Sequence, residues 1–292
     1  MKRESLRSLL VVPLALVIGV LLCLACGQNG STLAGLPVFA WAVGLAFLIQ
    51  WVAFVPAFLG QTERFFDLTG SLTYVLVTSL GLLFSQDIDA RAVLLWALVV
   101  VWAVRLGGFL FTRIHRTGKD DRFDAIKPNF ARFLGVWTIQ ALWVTFTAAA
   151  ALTAITTLAR KPLDVFAGLG LGLWGVGFAI EAIADAQKRR FAADPANRGK
   201  FIQTGLWARS RHPNYFGEIL LWVGVAVIAL PVLQGWQLVA LLSPIFVLLL
   251  LTRVSGVPLL ERKADARWGG QAAYEAYKAG TPVLVPRLFR RK

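Results

Sequence analysis

The sequence predicts an all-α fold, a polytopic bundle of transmembrane helices, and three observations carry that expectation. Of its 292 residues, 57% are hydrophobic, above the roughly 45–50% apolar content of soluble domains, and mean hydropathy is +0.66. The apolar residues gather into runs of about 20, the length a bilayer's hydrocarbon core demands of a helix. The basic residues, which set a formal charge of +14, alternate from loop to loop instead of following one soluble face. Eight runs qualify, near 9–26, 36–59, 70–84, 92–112, 130–158, 163–186, 214–231 and 236–252. Removal of the first leaves seven.

That first run follows Lys2, Arg3 and Arg7, so it reads either as a span or as a signal segment within residues 1–26. Leu24-Ala25-Cys26-Gly27 approximates a lipoprotein cleavage site, but Cys23 stands where leucine is expected. Cys23 and Cys26 also form a C-x-x-C, which inside an apolar helix is better read as two small core residues than as a redox or metal pair. With two cysteines and two histidines in the chain, no clustered metal site is expected. The second run, with Trp41, Phe47, Trp51, Phe54 and Phe58, has no ionisable group and reads as scaffold or lipid contact. Its end differs. Gln61, Glu63, Arg64 and Asp67 lead into the third run, which continues Gly70-Ser71-Leu72-Thr73-Tyr74. Carboxylates and a phenol beside a membrane-embedded cavity are candidate proton donors, which singles out Glu63, Asp67 and Tyr74. The plainer alternative is an interfacial Glu-Arg pair with a belt tyrosine.

Arg105 falls inside the fourth run, followed by Arg113, His115, Arg116, Lys119, Asp120, Asp121 and Arg122. A charged arginine within a span costs about 3 kcal/mol even on lenient insertion scales, so Arg105 must pair or face water. Asp185 and Glu181 are its candidate partners, an oxyanion the other. His115 reads as interfacial. The sixth run contains a formal G-x-G-x-x-G at Gly170, Gly172 and Gly175, but no strand precedes it, which refutes a Rossmann reading. Gly168 and Gly172 instead suggest a small-xxx-small face for close helix packing. Glu181, Asp185 and Arg189 then follow one turn apart on one helix face.

Asp194 to Lys200 is rich in turn residues. Pro213 suits a helix's first turn, so the seventh helix is expected to start there. Free amides and the positive dipole end then make an anion site beside Arg209, Arg211 and His212. Asn214 and Glu218 share a face of that helix. The competing reading is a charged loop at the membrane border that only anchors a span. The eighth run is plain leucine and valine. Beyond it, Glu261, Arg262, Arg267, Trp268, Tyr274, Tyr277, Pro282 and Pro286 alternate charge, aromatics and proline, as in a short interfacial helix able to lid a site.

Charge orients the chain. Cations precede the first run, fill the loop after the fourth, crowd between Lys188 and Arg211 and recur in the tail, whereas 27–35 and 231–235 have none and 85–91 is mildly acidic. Arg160 and Lys161 break the pattern. The positive-inside rule puts both termini in the cytoplasm, and basic loops of this kind suit orientation and anionic membrane lipids, not nucleic acid.

Arg211-His212-Pro213-Asn214-Tyr215-Phe216-Gly217-Glu218, preceded by Gly205-Leu206-Trp207, resembles the C-terminal signature of the steroid 5α-reductase-like integral membrane family, most closely a bacterial branch of it. Its Arg-His-Pro-x-Tyr-x-Gly core is shared with sterol reductases and isoprenylcysteine carboxyl methyltransferases. Glu181 to Lys188, Arg105-Leu106-Gly107 with Lys119 to Phe123, and Gly70 to Tyr74 extend the resemblance over about 61–287. The resemblance implies an inner-membrane, NADPH-dependent reductase of a carbon-carbon double bond conjugated to a carbonyl, acting on a sterol-like or fatty lipid. It implies a cofactor held by Arg105, Arg122, Glu181, Asp185, Arg189, Arg209, Arg211, His212, Asn214, Tyr215 and Glu218. In the best-known 5α-reductases a Gln-Glu pair and a tyrosine polarise the substrate carbonyl; here Trp102 stands where that tyrosine would fall. The shared core also admits an S-adenosylmethionine-dependent methyltransferase of the isoprenylcysteine type, and a lipid-binding membrane protein without chemistry stays open beside both.

Overall fold

The computed structural model describes residues 2–287, and of 2–9 and 116–117 the backbone alone. It is a helical bundle with α1 (Lys2–Cys26), α2 (Val38–Leu59), α3 (Phe66–Leu83), α4 (Ala90–Thr117), α5 (Phe130–Thr156), α6 (Val165–Ala193), α7 (Pro213–Ala229), α8 (Ser243–Leu249), α9 (Val257–Trp268) and α10 (Ala272–Gly280). Seven helical segments are long and apolar enough to cross a membrane, and Leu10–Cys26 of α1 is a shorter apolar helix. The chain is therefore an integral membrane protein. Between α1 and α2, Thr32–Leu33 pairs antiparallel with Leu36–Pro37, turning through Ala34 and Gly35 at positive φ.

Polar residues set the helix ends as their chemistry requires. The Asp89 carboxylate accepts from the Ala92 amide at 2.7 Å and starts α4; Gly118, at φ 80°, ends it. The Asn129 side chain accepts from the Arg132 amide at 3.0 Å and starts α5. One expectation needs correcting. The eighth run is not a single α-helix: Gly235–Leu242 is a 3-10 segment, α8 begins at Ser243 beside Pro244, Leu250–Val254 widens into a π turn, and the helix breaks at Ser255 and Gly256 before α9. Proline supplies no amide to an incoming helix, so the α-helical register restarts there.

The chain divides into two compact units, Met1–Gly168 with Val225–Ser243, and Leu169–Gly224 with Pro244–Lys292. In the first unit α5 packs against α1, α2, α3 and α4, and Phe54, Ala57, Phe123, Phe133 and Trp137 form an aromatic cluster. Phe123 pins the loop after α4 into that cluster. Two guanidiniums, one buried and one half-buried, finish helices in this unit. Arg91, 1% exposed, donates to the carbonyls of Ile228 at 2.6 Å and Pro162 at 2.8 Å and pairs with Asp164 at 3.1 Å. Arg160 donates to Gln86 at 2.8 Å and Ile155 at 3.2 Å. Cations belong at the carbonyl ends of helices, which accounts for Arg160 outside the otherwise alternating charge pattern.

The second unit is built on close contact between α6 and α7. A Cβ on Gly217 would lie 2.6 Å from the Glu181 amide nitrogen, and one on Gly177 would lie 2.6 Å from both the Gly217 carbonyl and the Leu221 amide. Two turns on, a Cβ on Gly224 would lie 2.7 Å from the Trp174 amide. Backbone thus meets backbone, as small residues permit between membrane helices. The glycines that do this are not the expected ones: a Cβ on Gly168 or Gly172 meets open space. The contact repeats every seven residues on α7, so only the glycines in phase with it count.

Candidate functional site

Contact at Gly217 brings the first turn of α7 beside the polar end of α6. Glu181 and Asp185 are 2% and 5% exposed, one above the other on α6, and the Asn214 amide nitrogen donates to Asp185 at 3.3 Å. Burying two carboxylates this close demands donors around them. The loop preceding α7 is shaped to supply polar groups. Gly205 has φ 62°, and a Cβ there would strike the Gln187 amide at 2.6 Å, so no other residue fits the turn without strain. The turn lets Gln187 accept from the Leu206 amide at 2.9 Å. It also buries Trp207, whose indole donates to the Ala184 carbonyl at 3.0 Å and whose ring lies under the Lys188 ammonium at 4.7 Å.

The tail clasps the same loop from its other side. The Arg211 and His212 amides donate to the carbonyls of Pro282 at 2.9 Å and Val283 at 3.1 Å, and the Arg287 amide donates to Arg209 at 3.0 Å. The Tyr277 hydroxyl donates to the Trp207 carbonyl at 2.7 Å; burial raises that phenol to about 12. These bonds occupy the amides of the loop before α7, not those of the helix's own first turn, which are the ones expected to be free. What α7 offers a ligand is its own first turn, at Asn214 and Tyr215, and the side chains beside it.

Glu261, the first acid of α9, organises those side chains. It accepts from His212 Nε2 at 2.8 Å and pairs with Arg211 at 3.1 Å. Burial lowers the His212 pKa below the ordinary histidine value, against the opposing Glu261 hydrogen bond and with help from Lys188 and Arg211. The imidazole is neutral at pH 7 and stacks on the Tyr215 ring, centroids 5.6 Å apart and planes 8° from parallel. Tyr215 fits because α9 starts after a glycine: a Cβ on Gly256 would lie 2.8 Å from its ring. Sequence reasoning placed Glu261 in a tail segment able to lid the site, without naming its partners. The Ser255-Gly256 pair, where the helix breaks before α9, was a further signal available.

The site residues expected from the sequence thus divide. Glu181, Asp185, Arg189, Arg209, Arg211, His212, Asn214, Tyr215 and Glu218 belong to the second unit, with Arg189 and Arg209 exposed. Glu63, Asp67, Tyr74, Arg105 and Arg122 belong to the first. There Glu63, 4% exposed, accepts from the Asp120 amide at 2.7 Å and from Lys127 at 2.5 Å, fastening the loop after α4. Asp67 pairs with Arg113 at 3.1 Å. Buried Tyr74 lies edge-on against Trp102 at 5.1 Å. Arg105 is half-buried on α4. Arg122, exposed, folds back on Asp120 with Nε at 2.9 Å from both carboxylate oxygens. Burial works to raise the Asp120 pKa, but the Arg122 hydrogen bond and charge prevail and lower it. Two apolar grooves of about 450 and 430 Å³ run along α1, and none of these residues lines them.

Residues 53–281 match a family described as protein of unknown function, DUF1295. The match covers most of the chain and takes in α3 to α10, so the chain belongs to that family. Searches of curated proteins and of solved structures return no match.

Proposed function

We propose that this protein is an NADPH-dependent reductase of a carbon-carbon double bond conjugated to a carbonyl, in a sterol-like or fatty lipid. The observation that carries the reading is the second unit's set of buried polar groups, in which Glu181, Asp185 and Asn214 lie at one helix crossing with Arg211, His212 and Glu261 at the same helix start. The donor set suits a dinucleotide. Phosphates accept hydrogen bonds, which the Arg211 guanidinium, the cations of Arg189 and Arg209 and the first turn of α7 can give. Sugar hydroxyls and an adenine amine donate, which Glu181, Asp185 and Asn214 can receive. Glu261 uses one part of the Arg211 fork, and Arg211 Nε has no hydrogen-bond partner among the described residues. When bound, NADPH supplies the hydride that the double bond takes up at its β-carbon.

The chain's own residues then have to stabilise the enolate oxygen and deliver a proton. Glu63 is the least suited of the three expected donors, because both its oxygens are engaged in the loop clasp. Asp67 is ion-paired with Arg113 and so, like Glu63, is already engaged as an acceptor; Tyr74 remains as the proposed donor. The membrane setting makes an apolar lipid the natural substrate.

The test is titration of the purified protein with NADPH. Saturable binding is expected, weakened about tenfold to a hundredfold in Asp185→Ala and in Arg211→Ala, the loss that goes with a hydrogen bond to a charged group. Absence of saturation, or affinity indifferent to both changes, removes the reading. Four of the second unit's carboxylates, Glu181, Asp185, Glu218 and Glu261, also suit a cationic sulfonium, so S-adenosylmethionine belongs in the same titration; preference for it makes the chain a methyltransferase instead.

A further inference from the structure

Glu261 fixes more than the position of His212. Its carboxylate is ion-paired with Arg211, hence ionised and able only to accept hydrogen bonds. The 2.8 Å contact to His212 Nε2 therefore requires the ring hydrogen to sit on Nε2, and in a neutral imidazole this leaves Nδ1 as a bare acceptor. Asn214 is constrained by the same logic. Its amide nitrogen donates to Asp185 at 3.3 Å, which leaves the carbonyl oxygen facing away. Among the described residues neither His212 Nδ1 nor Asn214 Oδ1 has a hydrogen-bond partner. His212 is 5% exposed. It immediately precedes Pro213, and its carbonyl accepts from the Phe216 amide at 3.2 Å, so its Nδ1, the ring nitrogen nearer the backbone, lies at the first turn of α7. An acceptor left unmade in so enclosed a place carries a desolvation penalty of about 1–3 kcal/mol, which a donor from a ligand removes.

We propose that Glu261 is a positioning residue: by holding His212 as the Nε2–H tautomer, it makes Nδ1 an acceptor at the start of α7 which, with the Asn214 Oδ1 left open by the bond to Asp185, receives the sugar hydroxyls or amide hydrogens of a nucleotide. The proposal rests on the NADPH reading of the same site. It adds what sets that subsite's polarity: the seventh helix start, with its positive dipole and arginines, receives donors as well as phosphate, and the residue that decides this is on α9.

The chain has two histidines, so ¹⁵N-histidine labelling with the exposed His115 replaced (His115→Gln) leaves one imidazole to observe. In the ligand-free protein His212 should show a bare-acceptor Nδ1 and a protonated Nε2, and Glu261→Gln, which can accept or donate, should mix the two tautomers. NADPH should move the Nδ1 resonance toward the hydrogen-bonded position and bind at least fivefold more weakly to Glu261→Gln. A mixed or Nδ1–H ring in the unaltered protein overturns the tautomer lock without use of any variant. Saturable NADPH binding that leaves Nδ1 unmoved overturns the subsite while the reductase reading survives. Absence of NADPH binding with the tautomer intact overturns that reading and the nucleotide assigned here together.

Discussion

The two units bury charged side chains to different ends. In the first, Glu63 has both oxygens occupied by the Asp120 amide and Lys127, and Arg91 turns its two terminal nitrogens onto Ile228 and Pro162. Those residues close loops and finish helices. In the second, Asp185, His212 and Asn214 are linked in chains that end in acceptors, at His212 Nδ1 and Asn214 Oδ1. Among the described residues, unfilled polar atoms occur in both units, Arg91 Nε and Arg160 Nε among them in the first, so neither burial of a charge nor an unfilled site marks a binding place by itself. What differs is that the second unit's unfilled acceptors, His212 Nδ1 and Asn214 Oδ1, fall together at the start of one helix.

The strongest way to break the second network is to push its two helices apart. In Gly217→Val the new side chain meets the Glu181 backbone, not a flexible side chain, so α6 and α7 must separate. We expect a loss on the order of 3 kcal/mol or more, read as a fall in thermal unfolding temperature in detergent, with Asn214 parted from Asp185 and NADPH binding lost. Gly172→Ala is the control, since a Cβ there meets open space; it should change stability by less than about 0.5 kcal/mol. Equal damage from both would mean that glycine content, not the α6 and α7 crossing, holds this unit.

Next in size is the first unit's own anchor. Arg91→Met leaves the Ile228 and Pro162 carbonyls without their donor, a cost of roughly 2–4 kcal/mol, while Arg160→Met removes a cation from a helix's carbonyl end at about 1 kcal/mol. Thermal unfolding should rank the two in that order. Smaller still, Glu63→Gln should free the loop at 118–127, seen as a few-fold faster nicking there by a protease, and leave the NADPH titration unchanged. A change in NADPH affinity in Glu63→Gln would erase the distinction between the units.

Much of this could be read from the residues. Hydropathy located every span, and the 3.6 period put Glu181 over Asp185 and made Pro213 a helix start, because these are properties of local spacing. The last span was located, but its irregular winding was not legible, for a tertiary reason: Pro244 and the Ser255-Gly256 break look incidental in a run of leucines until Tyr215 is found where a Cβ of Gly256 would be. Gly168 and Gly172 failed likewise, since spacing shows which glycines share a face but not which face meets a partner. Glu261 lay beyond local reasoning altogether. It is 49 residues from His212, and tertiary contacts, the tail's backbone pairing with the motif and the Tyr277 bond to Trp207 among them, bring α9 and α10 into the second unit's site.

The smallest effect separates the two networks by pH. His212 has a folded pKa below that of an unfolded histidine, so between the two values the unfolded chain binds the extra proton and stability rises with pH. The contribution is fully present above about 6.5 and is lost as pH falls through the lowered folded value. Asp120, also lowered in the folded state, acts in a separate window: its contribution is present above about 3.9 and fades only in stronger acid. In unfolding measured from pH 7.5 down to 5, His212→Gln should therefore flatten the slope, whereas Asp120→Asn should leave it as it is. A slope that persists without His212 would move the titration to another group and deprive the Glu261 and His212 pair of its neutral ring.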